Sequence, residues 1–426
     1  MTGLRPAFVV NLAGTALSLL VVVALARLLG TDGYGIYAFA WALVSILATP
    51  AQAGLPMLVM RETARAAATG QYSSMRGIWI WSARVTAVLA LLVAAVGVLV
   101  IVFGGEAVRG LQAQTIFWAL VLVPLVALGN IRGAALRGLQ RVVAGNLPEF
   151  VLRPALLLVL LGGAAAIGQA LTPPAAMAMH ATAAAAAFGA GAWLLAKSTP
   201  PEVRAVAPAY DGQRWLASTW PLALVAGTHV INLHADVLML GIFAPASEVG
   251  VYRVAAQLAV FAAFGLAAVN MVVGPRFADL HARGETAQLQ QLALRSARAV
   301  FAFSAAVVLC FAVAGAGLLE FVFGEGFDHA YLPLMILFIG QLVNGAVGSV
   351  GYLLNMTGHE RDTARGIAIA AAVNVALNLL LIPRWGMHGA AAATAASMVT
   401  WNVLLWRDVK ARLGINSFAF GLRWAR

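Results

Sequence analysis

Apolar runs near twenty residues long follow one another along this chain, with only short polar breaks between them. A bilayer core about 30 Å thick needs roughly 20 apolar residues per spanning helix. The pattern therefore predicts twelve transmembrane helices. The first six cover 7–29, 36–59, 78–103, 114–135, 148–169 and 175–196. The second six cover 216–242, 250–274, 297–321, 332–356, 365–382 and 389–406. Between them lies the one polar stretch long enough to divide the chain, residues 197–215, from Lys197 through Thr199-Pro200-Pro201 to Arg214. The expected architecture is an all-α polytopic membrane protein with two six-helix lobes, 1–196 and 216–426. The 197–215 linker and a short C-terminal tail would be cytoplasmic.

Composition sharpens this picture. Hydrophobic residues make up 62% and charged residues 10% of the 426 positions, which excludes a water-soluble domain. The net charge of +11 does not point to nucleic acid, because the basic residues are spread one to four per loop without a cluster. Topology and anionic lipid headgroups account for them. With the N-terminus in the cytoplasm, the inner side collects Arg5, Arg61, Arg65, Arg76, Arg132, Arg137, Arg141, Lys197 and Arg204, and in the second half a similar excess ending in Arg423 and Arg426. The outer side keeps Arg27, Arg109, Arg253 and Arg384. Both termini are then inside, in the cytoplasmic (inner) membrane. The first span has no small-residue cleavage site and carries Asn11 and Arg27, so it reads as a retained helix. The single Cys310 lies mid-span and permits no intrachain disulfide.

The two halves echo each other. Gly35-Ile36-Tyr37 and Gly250-Val251-Tyr252 both put Gly-x-Tyr at the start of the second helix of a half. Gly138-Leu139-Gln140-Arg141 and Gly358-His359-Glu360-Arg361 both close the fourth helix with Gly-x-x-Arg. Six helices per half make the repeats parallel, related by an axis along the membrane normal.

Machinery for covalent chemistry is missing. Outer loops are short, and Glu325, Asp328 and His329 read as a wet turn. No paired-carboxylate, phosphate-loop, zinc-ligand or Ser/His/Asp arrangement stands elsewhere. The information that remains lies in polar residues within spans, each costing about 2.5–3.5 kcal/mol at a helix centre when ionised. His229, Asn232 and Asp236 fall on one face of the seventh span, with His234 off it. That face is either a site for a proton, Na⁺ or sugar hydroxyls, or a hydrogen-bonded seam between helices. Arg27 and Arg253 both break the charge bias on the outer side, where they either meet a phosphate or snorkel to headgroups. Arg84 snorkels to the inner surface, and the Glu149/Arg153 and Asn374/Asn378 pairs read as structural. Pro50, Pro56, Pro124, Pro154, Pro221, Pro275 and Pro333 kink or terminate spans.

Three segments carry a resemblance. Ala26-Arg27-Leu28-Leu29-Gly30-Thr31-Asp32-Gly33-Tyr34-Gly35-Ile36-Tyr37 resembles the first-hairpin signature of polysaccharide flippases. Asp236-Val237-Leu238-Met239-Leu240-Gly241 with Val249-Gly250-Val251-Tyr252 resembles their second-half signature. Asn374-Val375-Ala376-Leu377-Asn378 leading to Ile382-Pro383, then Gly386-Met387-His388-Gly389-Ala390-Ala391, resembles the eleventh-to-twelfth-helix signature. The family, of the O-antigen (Wzx) and capsule or exopolysaccharide type, belongs to the multidrug/oligosaccharidyl-lipid/polysaccharide (MOP) exporter superfamily.

The resemblance implies a MATE-like fold and no catalytic residues. It implies a flippase that moves a polyprenyl-diphosphate-linked oligosaccharide from the inner to the outer leaflet by alternating access. Surface polysaccharide synthesis (O-antigen, and so lipopolysaccharide, capsule or exopolysaccharide) would be the setting. Arg27 and Asp236 would face the cavity, with Asp236 the candidate for ion coupling; the polar face and the charge bias add Arg253, Asn232 and His229 as candidate cavity residues. No cofactor is expected beyond an H⁺ or Na⁺ gradient or the membrane potential. Outward movement of an anionic headgroup gains about 2.3 kcal/mol per elementary charge per 100 mV. Expected partners are the lipid-linked glycan, membrane lipids and polysaccharide polymerase or export machinery. A MATE-like drug exporter is the nearest alternative, and a membrane glycosyltransferase or polymerase the rival from enzymes.

Overall fold

The computed structural model describes residues 4–103 and 110–421, with their side chains apart from 4–8, 221, 225 and 229. Arg109, Arg423 and Arg426, and the side chains of Arg5, Pro221 and His229, thus lie outside the described residues. Helices account for almost all of it. They are α1 (Leu4–Gln52), α2 (Leu55–Thr69), α3 (Tyr72–Phe103), α4 (Leu111–Gly138) and α5 (Val142–Leu147). A π-helical turn, Pro148–Leu152, leads into α6 (Arg153–Ala166), followed by α7 (Pro173–Ser198) and α8 (Pro201–Ala205). Then come α9 (Gly212–Phe243), α10 (Ala246–Ala282), α11 (Thr286–Phe323), α12 (Tyr331–Val347), α13 (Val350–Met356) and α14 (Glu360–Leu413).

Among the described residues nine helices are long and apolar enough to cross a bilayer, and the bent α9 makes ten. Two of them each hold two spans. The 44 residues of α1 from Val9 to Gln52 would run about 66 Å if straight, twice the thickness of a bilayer. The helix is instead broken at Gly30 (φ 68°, ψ −176°), between the first and second predicted spans. In α14, 54 residues long, the break is at Gly386 (φ 51°, ψ −130°), between the last two. Twelve spans result, as the hydrophobic pattern requires. Both breaks fall at glycine, the one in α14 three residues after Pro383. Pro50, Pro124 and Pro275 sit inside unbroken helical runs, whereas Pro56 and Pro154 occupy first-turn positions that need no amide donor.

Compactness separates the chain into two units, residues 1–234 and 235–426. The sequence-based lobe boundary at 197–215 lies upstream of this division, which falls inside α9. The first part of α9 packs with the first unit: Trp215 (2% exposed) is buried with Leu55, Leu58, Ile78 and Ile131, and Leu222 packs against the same cluster. The second unit has its own core, in which Val273, Phe277, Leu289, Val347, Leu353 and Leu405 come together. Its tail is tied down by backbone bonds, Ala419 N–H to the Ala346 carbonyl at 2.8 Å and Asn416 N–H to Gln290 Oε1 at 2.7 Å. Outward-facing Leu91, Leu92, Val96, Leu99 and Val100 on α3 are all more than half exposed, the surface a helix presents to lipid.

Candidate functional site

In the first unit, α1 ends where Ala53 (φ 45°) and Gly54 (φ 73°) turn the chain left-handed. The second of these turns must be glycine. A Cβ there would strike the backbone of Leu222 and Ala223 on α9. The turn leaves Gln52 at the end of α1 facing α4, where Asn130 Nδ2 donates to Gln52 Oε1 at 3.1 Å. Two turns on, Arg137 Nη1 donates to Asn146 Oδ1 at 3.1 Å, and Asn146 Nδ2 in turn to Asn11 Oδ1 at 3.3 Å. Gln52, Asn130 and Arg137 share a cavity of ≈ 530 Å³, with Ser45 and Thr49 above and Met57 and Met60 on its wall. The set is one guanidinium, two carboxamides and two hydroxyls. A second cavity of ≈ 600 Å³ adjoins it, sharing Thr49 and Val230. This one is lined by Ile46, Pro50, Leu216, Trp220, Leu224 and Ile231 and is almost wholly apolar. Together they form a cleft whose guanidinium and carboxamides stand in one cavity, among mostly apolar walls, while the other is almost wholly apolar.

Behind the cleft, Arg132 is 5% exposed. Its guanidinium bonds Glu149 Oε1 at 3.0 Å and the Phe188 carbonyl at 2.6 Å, and lies over the Phe188 ring. The sequence reading counted it among inner loop residues; it is a buried part of α4. Glu149, carried by the π-helical turn, also holds Arg153 at 3.2 Å. Arg153 lies 5.3 Å from the Trp41 ring, Trp41 stacks on His180 at 4.6 Å, and the His180 Nδ1 lies 2.6 Å from the Tyr37 hydroxyl. The Glu149/Arg153 pair is thus part of a polar chain tying together α1, α4, α6 and α7.

In the second unit, Asp236 is buried (7% exposed) and takes the Tyr252 hydroxyl on Oδ2 at 2.5 Å and the Val237 N–H on Oδ1 at 2.8 Å. Thr394 Oγ1 lies 3.3 Å from the Tyr252 oxygen, and Asn374 Nδ2 donates to Thr394 at 3.4 Å. Asn378 Nδ2 then donates to Asn374 Oδ1 at 3.0 Å. The i, i+4 asparagines are therefore not merely packed together; they extend the carboxylate's network. The Gly-x-Tyr echo acquires a physical meaning. Tyr37 and Tyr252 are both buried and each bonds the last span of its half, through His180 and Thr394.

The predicted site residues fare unequally. Asp236 and Arg253 are close enough to interact electrostatically. Asn232 is half-buried on α9, and His229 has no described side chain. Arg27 is exposed at the end of the first limb of α1, in the other unit. Sequence reasoning passed over Gln52, Asn130, Arg137, Arg132 and His180. Gln52 and Asn130 stand inside or at the end of apolar runs, the same signal that singled out Asn232.

The comparisons with known proteins agree with this frame. The pattern of the polysaccharide biosynthesis protein family matches residues 7–281. A probable low-salt glycan biosynthesis flippase, Agl15 of Haloferax volcanii, is 24% identical over 401 residues, covering 93% of this chain and 80% of that one. Among solved structures, an inward-facing multidrug resistance MATE transporter of the MOP superfamily superposes with TM-score 0.74 at 12% identity, over 94% of each chain. The lipid II flippase MurJ, in an inward closed conformation, gives 0.70 at 12% identity over 95% of this chain and 87% of that one. A MOP superfamily transporter from Pyrococcus furiosus gives 0.66 at 12% identity, over 97% and 95%. A multi-pass helical architecture with the MOP exporter fold, and a family match across 7–281, lead to one assignment: the chain belongs to the polysaccharide biosynthesis protein family.

Proposed function

We propose that this protein flips a polyprenyl-diphosphate-linked oligosaccharide from the cytoplasmic to the outer leaflet of the cytoplasmic membrane, by alternating access, with both termini inside. The observation that carries the proposal is the cleft of the first unit. A lipid-linked sugar is polar at one end and hydrocarbon at the other, and the cleft's guanidinium and carboxamides are likewise confined to one of its two adjoining cavities. In this reading Arg137 takes a diphosphate oxygen, because a guanidinium forks onto phosphate, and Gln52 and Asn130 meet sugar hydroxyls. Desolvating the diphosphate is costly without such partners. Arg27 and Arg253 are each candidates to meet a phosphate on the outer side. Asp236, in its Tyr252–Thr394–Asn374 network, couples movement to a cation gradient. Surface polysaccharide assembly is the setting, with polymerase or export machinery taking the product.

The test is leaflet accessibility of lipid-linked sugars in cells lacking the protein. Undecaprenyl-diphosphate oligosaccharide accumulating on the cytoplasmic face, with surface polymer lost, is the expected result. Unchanged surface polymer with heightened sensitivity to cationic drugs would overturn it in favour of a drug exporter.

A further inference from the structure

A third cavity, ≈ 480 Å³, lies in the first unit away from the cleft just described, among α3, α4, α7 and the linker. Its walls are apolar: Trp79, Ile80, Leu128, Phe188, Ala192 and Leu195. Its rim carries Arg76 at the start of α3 and Arg204 on α8, and Arg132 lines it deeper in. The rim is fixed by backbone contacts. Arg76 Nη1 donates to the carbonyls of Arg204 at 2.9 Å and Val206 at 2.6 Å, and Arg204 Nη2 donates to the Ala196 carbonyl. The linker is also pinned to α3 by Ala209 N–H on the Ser73 carbonyl at 3.0 Å.

These bonds use a single terminal nitrogen of each rim guanidinium, and among the described residues no carboxylate pairs with either. A guanidinium has five donors, so both retain capacity for an anion. Below them, Arg132 is 5% exposed and its buried Nε has no hydrogen-bond partner among the described residues. An apolar cavity of this size is within the range of small-molecule sites, and the spare donors of the rim cations can meet an anion at its mouth. An amphiphile with one anionic group and one hydrocarbon chain answers both. Arg76 and Arg204 also belong to the side of the protein where basic residues gather, the side where anionic lipid headgroups attract them.

We propose that this cavity is a binding site for an anionic phospholipid of the inner leaflet, with one acyl chain against Trp79, Leu128 and Leu195 and the phosphate at Arg76 and Arg204. The lipid then lies beneath the linker, and its departure frees the segment that joins α7 to α9. The proposal does not depend on the flippase reading, since it concerns a different cavity and no transported substrate.

The experiment is native mass spectrometry of the full chain released from micelles containing equal phosphatidylglycerol and phosphatidylcholine. One phosphatidylglycerol should be retained per protein, at least tenfold over phosphatidylcholine. Ala192→Phe, which grows a ring into the cavity from an exposed position, should reduce retention at least tenfold. Arg76→Gln/Arg204→Gln should equalise the two lipids. In the unsubstituted protein, phosphatidylglycerol bearing a photoreactive acyl chain should crosslink to α3 and α7, a readout that no folding defect can imitate. Equal retention of both lipids, undiminished retention in Ala192→Phe, crosslinks confined to other helices, or mole-for-mole displacement by undecaprenyl phosphate would each overturn the assignment.

Discussion

Glu149 stands between two arginines, 14% exposed itself, with Arg132 at 5% and Arg153 at 19%. Replacing it by Met should be strongly destabilising. The substitution keeps the volume but leaves Arg132 buried without its counter-ion, and removing one partner of a buried pair costs about 3–5 kcal/mol. The carbonyls of Ala187 and Phe188 still hold the guanidinium, which puts the expected loss at the lower end of that range. Arg153→Met should cost less, about 1.5–3 kcal/mol, because Glu149 keeps its bond to Arg132. The double variant Arg132→Met/Glu149→Met should be more stable than Glu149→Met alone, since it removes the stranded charge. Denaturant unfolding in detergent micelles, followed by tryptophan fluorescence, gives all three values. A loss below about 1 kcal/mol in Glu149→Met, or a double variant worse than the single, would refute the reasoning.

Other outcomes follow from the same geometry. Arg137→Ala should abolish leaflet transfer of the lipid-linked sugar while the protein still elutes as a single folded species; full transfer would remove Arg137 from the site. Tyr252→Phe strips Asp236 of its shortest hydrogen bond and should destabilise the protein by about 1–3 kcal/mol in the same unfolding assay, and a neutral result would mean that bond is not made in the membrane. Asp236→Asn should give transport that no longer responds to an imposed proton or sodium gradient; persistence of the gradient dependence would exclude it as the coupling residue. Gly386→Ala puts a methyl group into the Glu248 carboxylate at a positive φ, and loss of folded yield is expected, measured by size-exclusion chromatography.

The fold was legible because lipid imposes a strict condition: every span must be apolar for about twenty residues and pair its backbone within itself. Twelve runs satisfied it, and the helices follow them. The breaks at Gly30 and Gly386 were harder to place, because glycine inside an apolar run looks like any other small packing residue. Asp236 was legible because an acid inside a span stands out. Arg132 was not, since its neighbours Arg137 and Arg141 made it look like one more inner-surface cation. His180 was missed for another reason: it comes from the alanine-rich α7, and only the fold brings it to Tyr37 and Trp41, 143 residues away in the first case.

The break at Gly386 has a bearing on how the chain is made. The carboxylate of Glu248 accepts the N–H of Met387 at 2.8 Å, capping the second limb of α14 across 139 residues of sequence. At about 5–20 residues per second of synthesis, the acid exists for roughly 7–28 s before its amide does. During that interval Glu248 sits in the first turn of α10, where the unpaired amides of a helix start favour a negative charge. The acid therefore has somewhere to rest, and the closing hairpin finds a cap already waiting.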